Sequence, residues 1–183
     1  MADLTDTARR TPMLEPGDAS AIVAALPPAD RFVLQLRGLA AGTIAGIDLD
    51  GPINSALGTA ERFAARLGPN EWLLVLPEGE GAAMRATLEL GLAGHFFSLV
   101  SVGHRNAAIA VRSRHARTVL NAGITLDLED AAFPAGTATR TLLGKAEVVL
   151  VRLPADDAFR VECWRSFAPY VHAFLSDAAR EFI

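Results

Sequence analysis

The chain has few of the residues that build covalent, metal-bound or membrane-spanning structure. Its 183 residues include one cysteine, Cys163, so neither an internal disulfide nor a multi-cysteine metal site can form. No window holds the roughly 18 uncharged apolar residues that a membrane span needs. Residues 1–6 carry acidic side chains where a secretory signal peptide needs cations. These absences predict a cytoplasmic protein without a membrane partner.

Positive charge is also scarce, since 17 Lys and Arg stand against 21 Asp and Glu and give a net charge of −4. A mildly acidic chain lacks the basic footprint of a nucleic-acid-binding protein, so no nucleic-acid partner is expected. The apolar fraction of 51% excludes disorder across the whole chain. The length suits one domain or two small lobes with a shared core.

The first 30 residues have weak periodicity and predict an N-terminal arm, with one short helix at Asp18–Leu26 that Asp18 caps. From Arg31 onward, period-two patterns predict strands, and Gly58–Arg66 fits a helix or a strand equally. Repeats of three and four residues predict helices, one of which carries Met84, Leu88 and Leu92 on one stripe. The predicted strands are Arg31–Arg37, Thr43–Leu49, Trp72–Leu76, Phe96–Val102, Ala107–Arg112, Ala138–Leu143, Glu147–Arg152 and Phe159–Trp164. The predicted helices are Gly79–Gly94, Ser113–Ala122 and a last helix that Ser166 caps.

Strands therefore come in groups with a helix after each group, and the links within a group are too short for parallel crossovers. This order predicts an α+β fold with two small packed lobes of antiparallel sheet and helices on one face. Residues 31–183 would form a single globular unit, with lobes at about 31–95 and 96–183.

Local motifs for catalysis are weak throughout the chain. The four histidines share no metal-binding spacing, no nucleophile elbow is present, and Cys163 lies on the apolar face of a strand. Gly79-Glu80-Gly81 follows a strand and precedes a helix, but its acidic neighbours oppose a bound phosphate. The carboxylates of Asp127, Glu129 and Asp130 fit a solvated loop. We predict no catalytic, cofactor-binding or metal-binding residue.

Arginine and tryptophan side chains in or beside strands are the more informative feature. Such residues are favoured as anchors of protein–protein interfaces, although a salt-bridged outer sheet face explains them equally well. The candidate interface residues are Trp72, Arg105, Arg140, Lys145, Trp164 and Arg165.

A series of motifs from residue 67 onward resembles the gamma subunit of heterotetrameric sarcosine oxidase. The motifs keep their order over the last two-thirds of the chain. They are Leu67-Gly68-Pro69-Asn70-Glu71-Trp72-Leu73-Leu74, Val102-Gly103-His104-Arg105, Phe133-Pro134 with Gly136, Arg140-Thr141-Leu142-Leu143-Gly144-Lys145-Ala146, and Phe159-Arg160-Val161-Glu162 running through Trp164 into Arg165-Ser166-Phe167-Ala168-Pro169-Tyr170. Ser101 and Gly103 depart from the acidic residue and serine that family members often have there.

The resemblance implies a fold similar to the folate-binding domain of the glycine-cleavage aminomethyltransferase. It also implies a non-catalytic subunit that packs against the alpha subunit, with beta and delta in the complex, during oxidative demethylation of sarcosine to glycine. FAD, FMN, NAD and tetrahydrofolate would then belong to partner subunits. Two alternatives stay open: a free-standing folate-binding or aminomethyltransferase-like protein of one-carbon metabolism, and a homo-oligomeric module when isolated.

Overall fold

The computed structural model of the protein describes residues 14–18, 20–38, 42–153 and 158–182. These residues form twelve β-strands, three α-helices and a 3-10 turn at Arg180–Phe182. The strands are β1 Val23–Ala25, β2 Ala29–Arg37, β3 Thr43–Ile44, β4 Ile47–Asp48, β5 Ser55–Gly58, β6 Phe63–Gly68, β7 Glu71–Pro77, β8 Phe96–Ser101, β9 Asn106–Val111, β10 Thr137–Leu143, β11 Ala146–Arg152 and β12 Phe159–Trp164. The helices are α1 Gly81–Gly91, α2 Ala116–Asn121 and α3 Ala168–Ala179.

Ten of the described strands form one continuous sheet in the order β1-β9-β12-β11-β10-β5-β6-β7-β2-β8, while β3 and β4 form a separate hairpin. Each pairing between described strands is antiparallel. β5 joins the two halves of the sheet, since it pairs with β10 at Ser55 and with β6 along its length. The predicted α+β class with antiparallel pairing is confirmed.

Both faces of the central strands are buried, because the sheet curls and its two halves pack against each other. Within β11, Val148 and Leu150 pack with α2 and α3, whereas Val151 packs in an inner core between the halves. Within β7, Leu74 packs under α1 and Leu73 faces the inner core. The helices therefore cover the outer faces, and the inner core holds the halves together.

The helix stripes and most strands lie where the periodicity predicts them. Met84, Leu88 and Leu92 are buried against the sheet, and Gly94, where the predicted helix ends, adopts a left-handed backbone with a φ of +87°. Pro169 lies in the first turn of α3, where its missing N–H has no intrahelical partner to lose. The ambiguous segment at 58–66 is resolved as the end of β5, a turn and the start of β6.

The predicted helix at Asp18–Leu26 is wrong, because residues 23–25 form β1 and pair with β9. Asp18 caps no helix: its carboxylate accepts hydrogen bonds from the backbone N–H and hydroxyl of Ser20. Pairing with the open edge of β9 satisfies the backbone of Val23 and Ala25 and buries both side chains. A tertiary partner thus outweighs a weak local helix preference.

Three local boundaries also differ from the predictions. Thr43–Leu49 is a hairpin rather than one strand, with positive φ at Ala45 and Gly46 in its turn. Helix α2 begins at Ala116, because the Ser113 hydroxyl accepts the His115 N–H within a turn. Helix α3 begins at Ala168 with Phe167 at its N-cap, so Ser166 lies in the preceding turn.

Some predictions fall outside the described residues or stay untested. Residues 1–13 and 19 of the predicted arm at 1–30 lie outside the described residues, and so does Pro154-Ala155-Asp156-Asp157, whose composition predicts a turn. The division into lobes at about 31–95 and 96–183 stays a prediction. None of the helices in the described part of the chain is long and apolar enough to cross a membrane.

Candidate functional site

A cleft of about 370 Å³ lies between the two halves of the sheet. Arg105, which precedes β9, and Trp164, the last residue of β12, line one side of it. Arg140 and Glu147, on the paired strands β10 and β11, lie along another side of it. Val33, Leu67 and Leu73 of the other half of the sheet also line it. The curl of the sheet therefore brings residues that are far apart in sequence to one opening.

An aromatic and basic surface lies at this opening. The Arg105 guanidinium lies 5.6 Å from the centre of the Trp164 ring, and Trp164 stacks on Phe167 with ring centres 6.1 Å apart. Trp164, Phe167 and Tyr170 are 46%, 38% and 39% exposed. Phe167 and Tyr170 are neighbours on one face because they are three residues apart at the start of α3. We call Arg105, Arg140, Trp164, Phe167 and Tyr170 the Trp164 surface.

The structure brings five of the six candidate interface residues to or beside this surface. Arg105, Arg140 and Trp164 line the cleft. The Arg165 N–H donates to the Arg105 carbonyl at 2.7 Å, and the Lys145 N–H donates to the Tyr170 hydroxyl oxygen at 3.3 Å. Arg140 also forms an ion pair with Glu71.

Trp72, the sixth candidate, lies elsewhere. It is 3% exposed, and its Nε1–H donates to the carbonyl of Leu49 at 3.3 Å. The guanidinium of Arg66 lies 5.0 Å from its ring centre. Trp72 packs in the core beneath α1, so its side chain presents no surface to another chain.

A buried ion triad lies beneath the Trp164 surface. Glu162 of β12 accepts hydrogen bonds from Arg31 of β2 at 2.7 Å and 3.2 Å and from Arg160 at 2.8 Å. Burial alone would raise the pKa of the Glu162 carboxyl, but the charges and hydrogen bonds of Arg31 and Arg160 outweigh burial and hold that pKa below its ordinary value. The triad ties the two halves of the sheet together and keeps Glu162 ionised.

Cys163 follows Glu162 and faces the opposite side of β12. It is 2% exposed and carries no disulfide. Burial, and then the nearby charge of Glu162, raise the pKa of its thiol to about 12. A thiol with this pKa is almost entirely protonated at neutral pH, so the predicted role of a small core residue agrees with its surroundings.

Two features of the site are not predicted by the sequence analysis. Phe167 and Tyr170 recur at a helical spacing that predicts burial of one face, yet both side chains are exposed. Arg31 and Glu162 alternate with apolar neighbours as on a solvated face, although 131 residues separate two partners that meet in the interior. The only sequence signal for this buried ion pair is the presence of charged residues on two otherwise apolar strands.

Comparisons with known proteins agree with this architecture. A chain of heterotetrameric sarcosine oxidase from Corynebacterium sp. U-96, in complex with pyrrole 2-carboxylate, is similar in fold with a TM-score of 0.75 and 21% identity. The likeness covers 91% of this chain and 88% of that one. The glycine cleavage system aminomethyltransferase T from Bartonella henselae is similar with a TM-score of 0.57 and 15% identity. It matches 82% of this chain, which spans 44% of that enzyme.

These likenesses confirm the predicted fold, including its similarity to an aminomethyltransferase. A sequence search of curated proteins gives no match. The model of the family described as "Sarcosine oxidase, gamma subunit family" matches residues 37–181, which is most of the chain and includes each of the motifs noted above. The chain therefore belongs to the sarcosine oxidase gamma subunit family.

Proposed function

We propose that the chain is a non-catalytic gamma-type subunit of a sarcosine oxidase complex that demethylates sarcosine oxidatively to glycine. The observation that carries this proposal is the family match over residues 37–181. The likeness to a chain of a heterotetrameric sarcosine oxidase supports it. The chain contributes to assembly, and the alpha and beta subunits carry the chemistry.

The Trp164 surface is the proposed contact with the alpha subunit. Exposed aromatic side chains beside arginines are typical of the centre of an interface, because they bury much area with few rotatable bonds. Arg105 and Lys145 form no ion pair with another described residue, so acidic groups on the partner would complement them. We expect the assembly to weaken as salt concentration rises.

Co-expression of this chain with alpha, beta and delta subunits tests the proposal. Native mass spectrometry of the purified complex should show one copy of this chain bound to the alpha subunit. Failure of this chain to co-purify with the alpha subunit would refute the proposed function.

The double substitution W164A/F167A tests the location of the contact. Removal of two exposed aromatic side chains should weaken binding to the alpha subunit at least tenfold, measured by surface plasmon resonance. Leu90→Ala is the control, because Leu90 is 79% exposed on α1 and lies outside the Trp164 surface. Equal affinities of the two variants would place the contact elsewhere while leaving the subunit role intact.

Under this proposal FAD, FMN, NAD and tetrahydrofolate belong to the partner subunits. The carboxylate beneath the cleft, Glu162, already accepts hydrogen bonds from Arg31 and Arg160 and is 1% exposed, so it has no free face for a pterin. Calorimetric titration of the isolated chain with tetrahydrofolate should therefore show no binding. Saturable micromolar binding would favour the alternative of a free-standing folate-binding protein.

A further inference from the structure

A second cleft, of about 390 Å³, lies beside the turn that precedes α2 and gathers four arginines. Arg112, Arg114, Arg117 and Arg152 line it, and we call it the arginine cleft. Among the described residues, Asp130 is the carboxylate that pairs with these arginines. The chain as a whole carries a net charge of −4, so this concentration of positive charge runs against its composition.

Two of the four guanidinium groups are held in place by several contacts. Arg117 donates from Nε to the Leu128 carbonyl at 2.9 Å and pairs with Asp130. Arg152 donates from Nη1 to Asp130 at 2.6 Å and to the Phe133 carbonyl at 2.9 Å. Groups fixed in this way lose little side-chain entropy when a ligand binds. Arg117 and Arg152 therefore form a fixed, positively charged side of the cleft.

The other two arginines have donors to spare. Nη1 of Arg112 is buried and has no hydrogen-bond partner among the described residues, an arrangement that costs free energy unless a ligand or water accepts from it. Arg114 is exposed and donates from Nε to the ring of His115 at 2.9 Å. Ser113, between them, has a φ of +132°, which is rare outside glycine and marks local strain of the kind found at binding sites.

A larger and mostly apolar cleft of about 520 Å³ adjoins the arginine cleft. Arg112, Ala158 and Phe159 line both. Leu26, Val75 and Leu153 are among the apolar residues that line the larger cleft alone. Glu61, Glu78 and Arg160 also line the larger cleft. Arg112 thus lies at the boundary between a cationic cleft and a mostly apolar one.

We propose that the two clefts together bind a small amphipathic anion. Its oxyanion head, a phosphate or a carboxylate, lies between Arg112 and Arg114, and its apolar body lies along Phe159 in the larger cleft. Planar guanidinium groups suit this role because they donate two parallel hydrogen bonds to one oxyanion. The Trp164 surface is separate from this site, so the proposal does not depend on the proposed subunit contact.

Calorimetric titration of the purified full chain with phenyl phosphate, benzoate and inorganic phosphate tests the proposal. We expect one saturable site for phenyl phosphate or benzoate, and the tighter of the two identifies the head group. The same ligand should bind at least tenfold more tightly than inorganic phosphate, because only the aromatic probes fill the apolar cleft. In a ¹H–¹⁵N spectrum, the Nε–H signal of Arg112 should shift during the titration.

Arg112→Gln should weaken binding of the better probe at least tenfold, and Arg114→Gln at least threefold. Arg37→Gln is the control, because it removes the same charge from an exposed position on β2 outside the clefts. Since Arg114 is exposed, its variant should fold normally and keeps the test valid if Arg112→Gln unfolds. The proposal is overturned if neither phenyl phosphate nor benzoate binds saturably. It is also overturned if the Arg114 and Arg37 variants lose affinity equally.

Discussion

Glu162 connects the two halves of the molecule through single side-chain contacts. Its carboxylate lies on β12, while Arg31 lies on β2 in the other half of the sheet, and both are almost completely buried. A buried ion pair often adds little net stability compared with an apolar pair of the same volume. Removal of one partner is costly, however, because an uncompensated charge then stays in the interior.

Glu162→Gln should therefore lower the free energy of unfolding by about 3–5 kcal/mol, since it removes the counter-charge of the buried Arg31 guanidinium group. Urea denaturation followed by circular dichroism measures this change. Glu147→Gln is the matched control, because Glu147 is exposed on the adjacent strand β11 and should change stability by less than about 0.5 kcal/mol. A loss below about 1 kcal/mol for Glu162→Gln would show that the triad is not strongly coupled.

The same carboxylate sets a dependence of stability on pH. The pKa of Glu162 in the folded chain lies below its ordinary value, because Arg31 and Arg160 outweigh the effect of burial. Because the pKa of Glu162 is lower in the folded state than in the unfolded state, its ionised form stabilises the fold. This stabilisation is fully present at a pH above the unfolded-state pKa and is lost as the pH falls through the folded-state pKa. Acid titration of the wild type should show this loss below about pH 4.5, and Glu162→Gln should flatten it.

At the scale of elements, the hairpin of β5 and β6 depends on a glycine. Gly58 has a φ of +130°, and a Cβ there would overlap the carbonyl oxygen of Arg62 and lie 2.7 Å from the Cα of Phe63. Both neighbours are backbone atoms, which cannot move without disturbing the turn. Gly46, in the β3–β4 hairpin, also has positive φ but has open space around it.

Gly58→Ala should destabilise the fold by about 3 kcal/mol or more, because it adds steric overlap to backbone strain. Gly46→Ala should cost only about 1 kcal/mol, since it adds backbone strain alone. Thermal unfolding of the two variants and the wild type measures both effects. Equal melting temperatures for the two variants would contradict the steric argument.

Elements with a strong period were predictable, and those that depend on a distant partner were not. The stripe of Met84 and Leu88 predicts α1 because burial of one helix face needs that spacing and no further information. β1 has three residues and no clear alternation, and it exists because β9 offers an open edge. The caps at Ser113 and Ser166 were misplaced because each serine lies in a turn fixed by the preceding strand.

At the scale of the whole molecule, the inner core and the buried triad should make the fold cooperative. The sheet runs without a break through both halves, and the inner core contains residues of each, such as Leu73 and Val151. A half that separated would expose this core and break the buried ion pair between Glu162 and Arg31. We therefore expect the two halves to unfold together.

The variant Trp164→Phe tests this expectation, because it leaves Trp72 as the only tryptophan and Trp72 lies in the core under α1. Urea unfolding of the isolated chain should give the same midpoint by tryptophan fluorescence and by far-ultraviolet circular dichroism. A fluorescence midpoint well below the circular dichroism midpoint would show that residues 31–95 unfold as an independent lobe.

The sequence by itself determined the α+β class, the antiparallel pairing, the helix stripes and, through its motif series, the gamma-subunit family. These properties follow from short-range periodicity, link lengths and local motifs. The tertiary structure decided which face each strand side chain meets. It buried Trp72, paired Arg31 with Glu162, exposed Phe167 beside Trp164 and gathered four arginines near α2. The physical reason is the curl of the sheet, which buries its second face and joins residues that no local pattern relates.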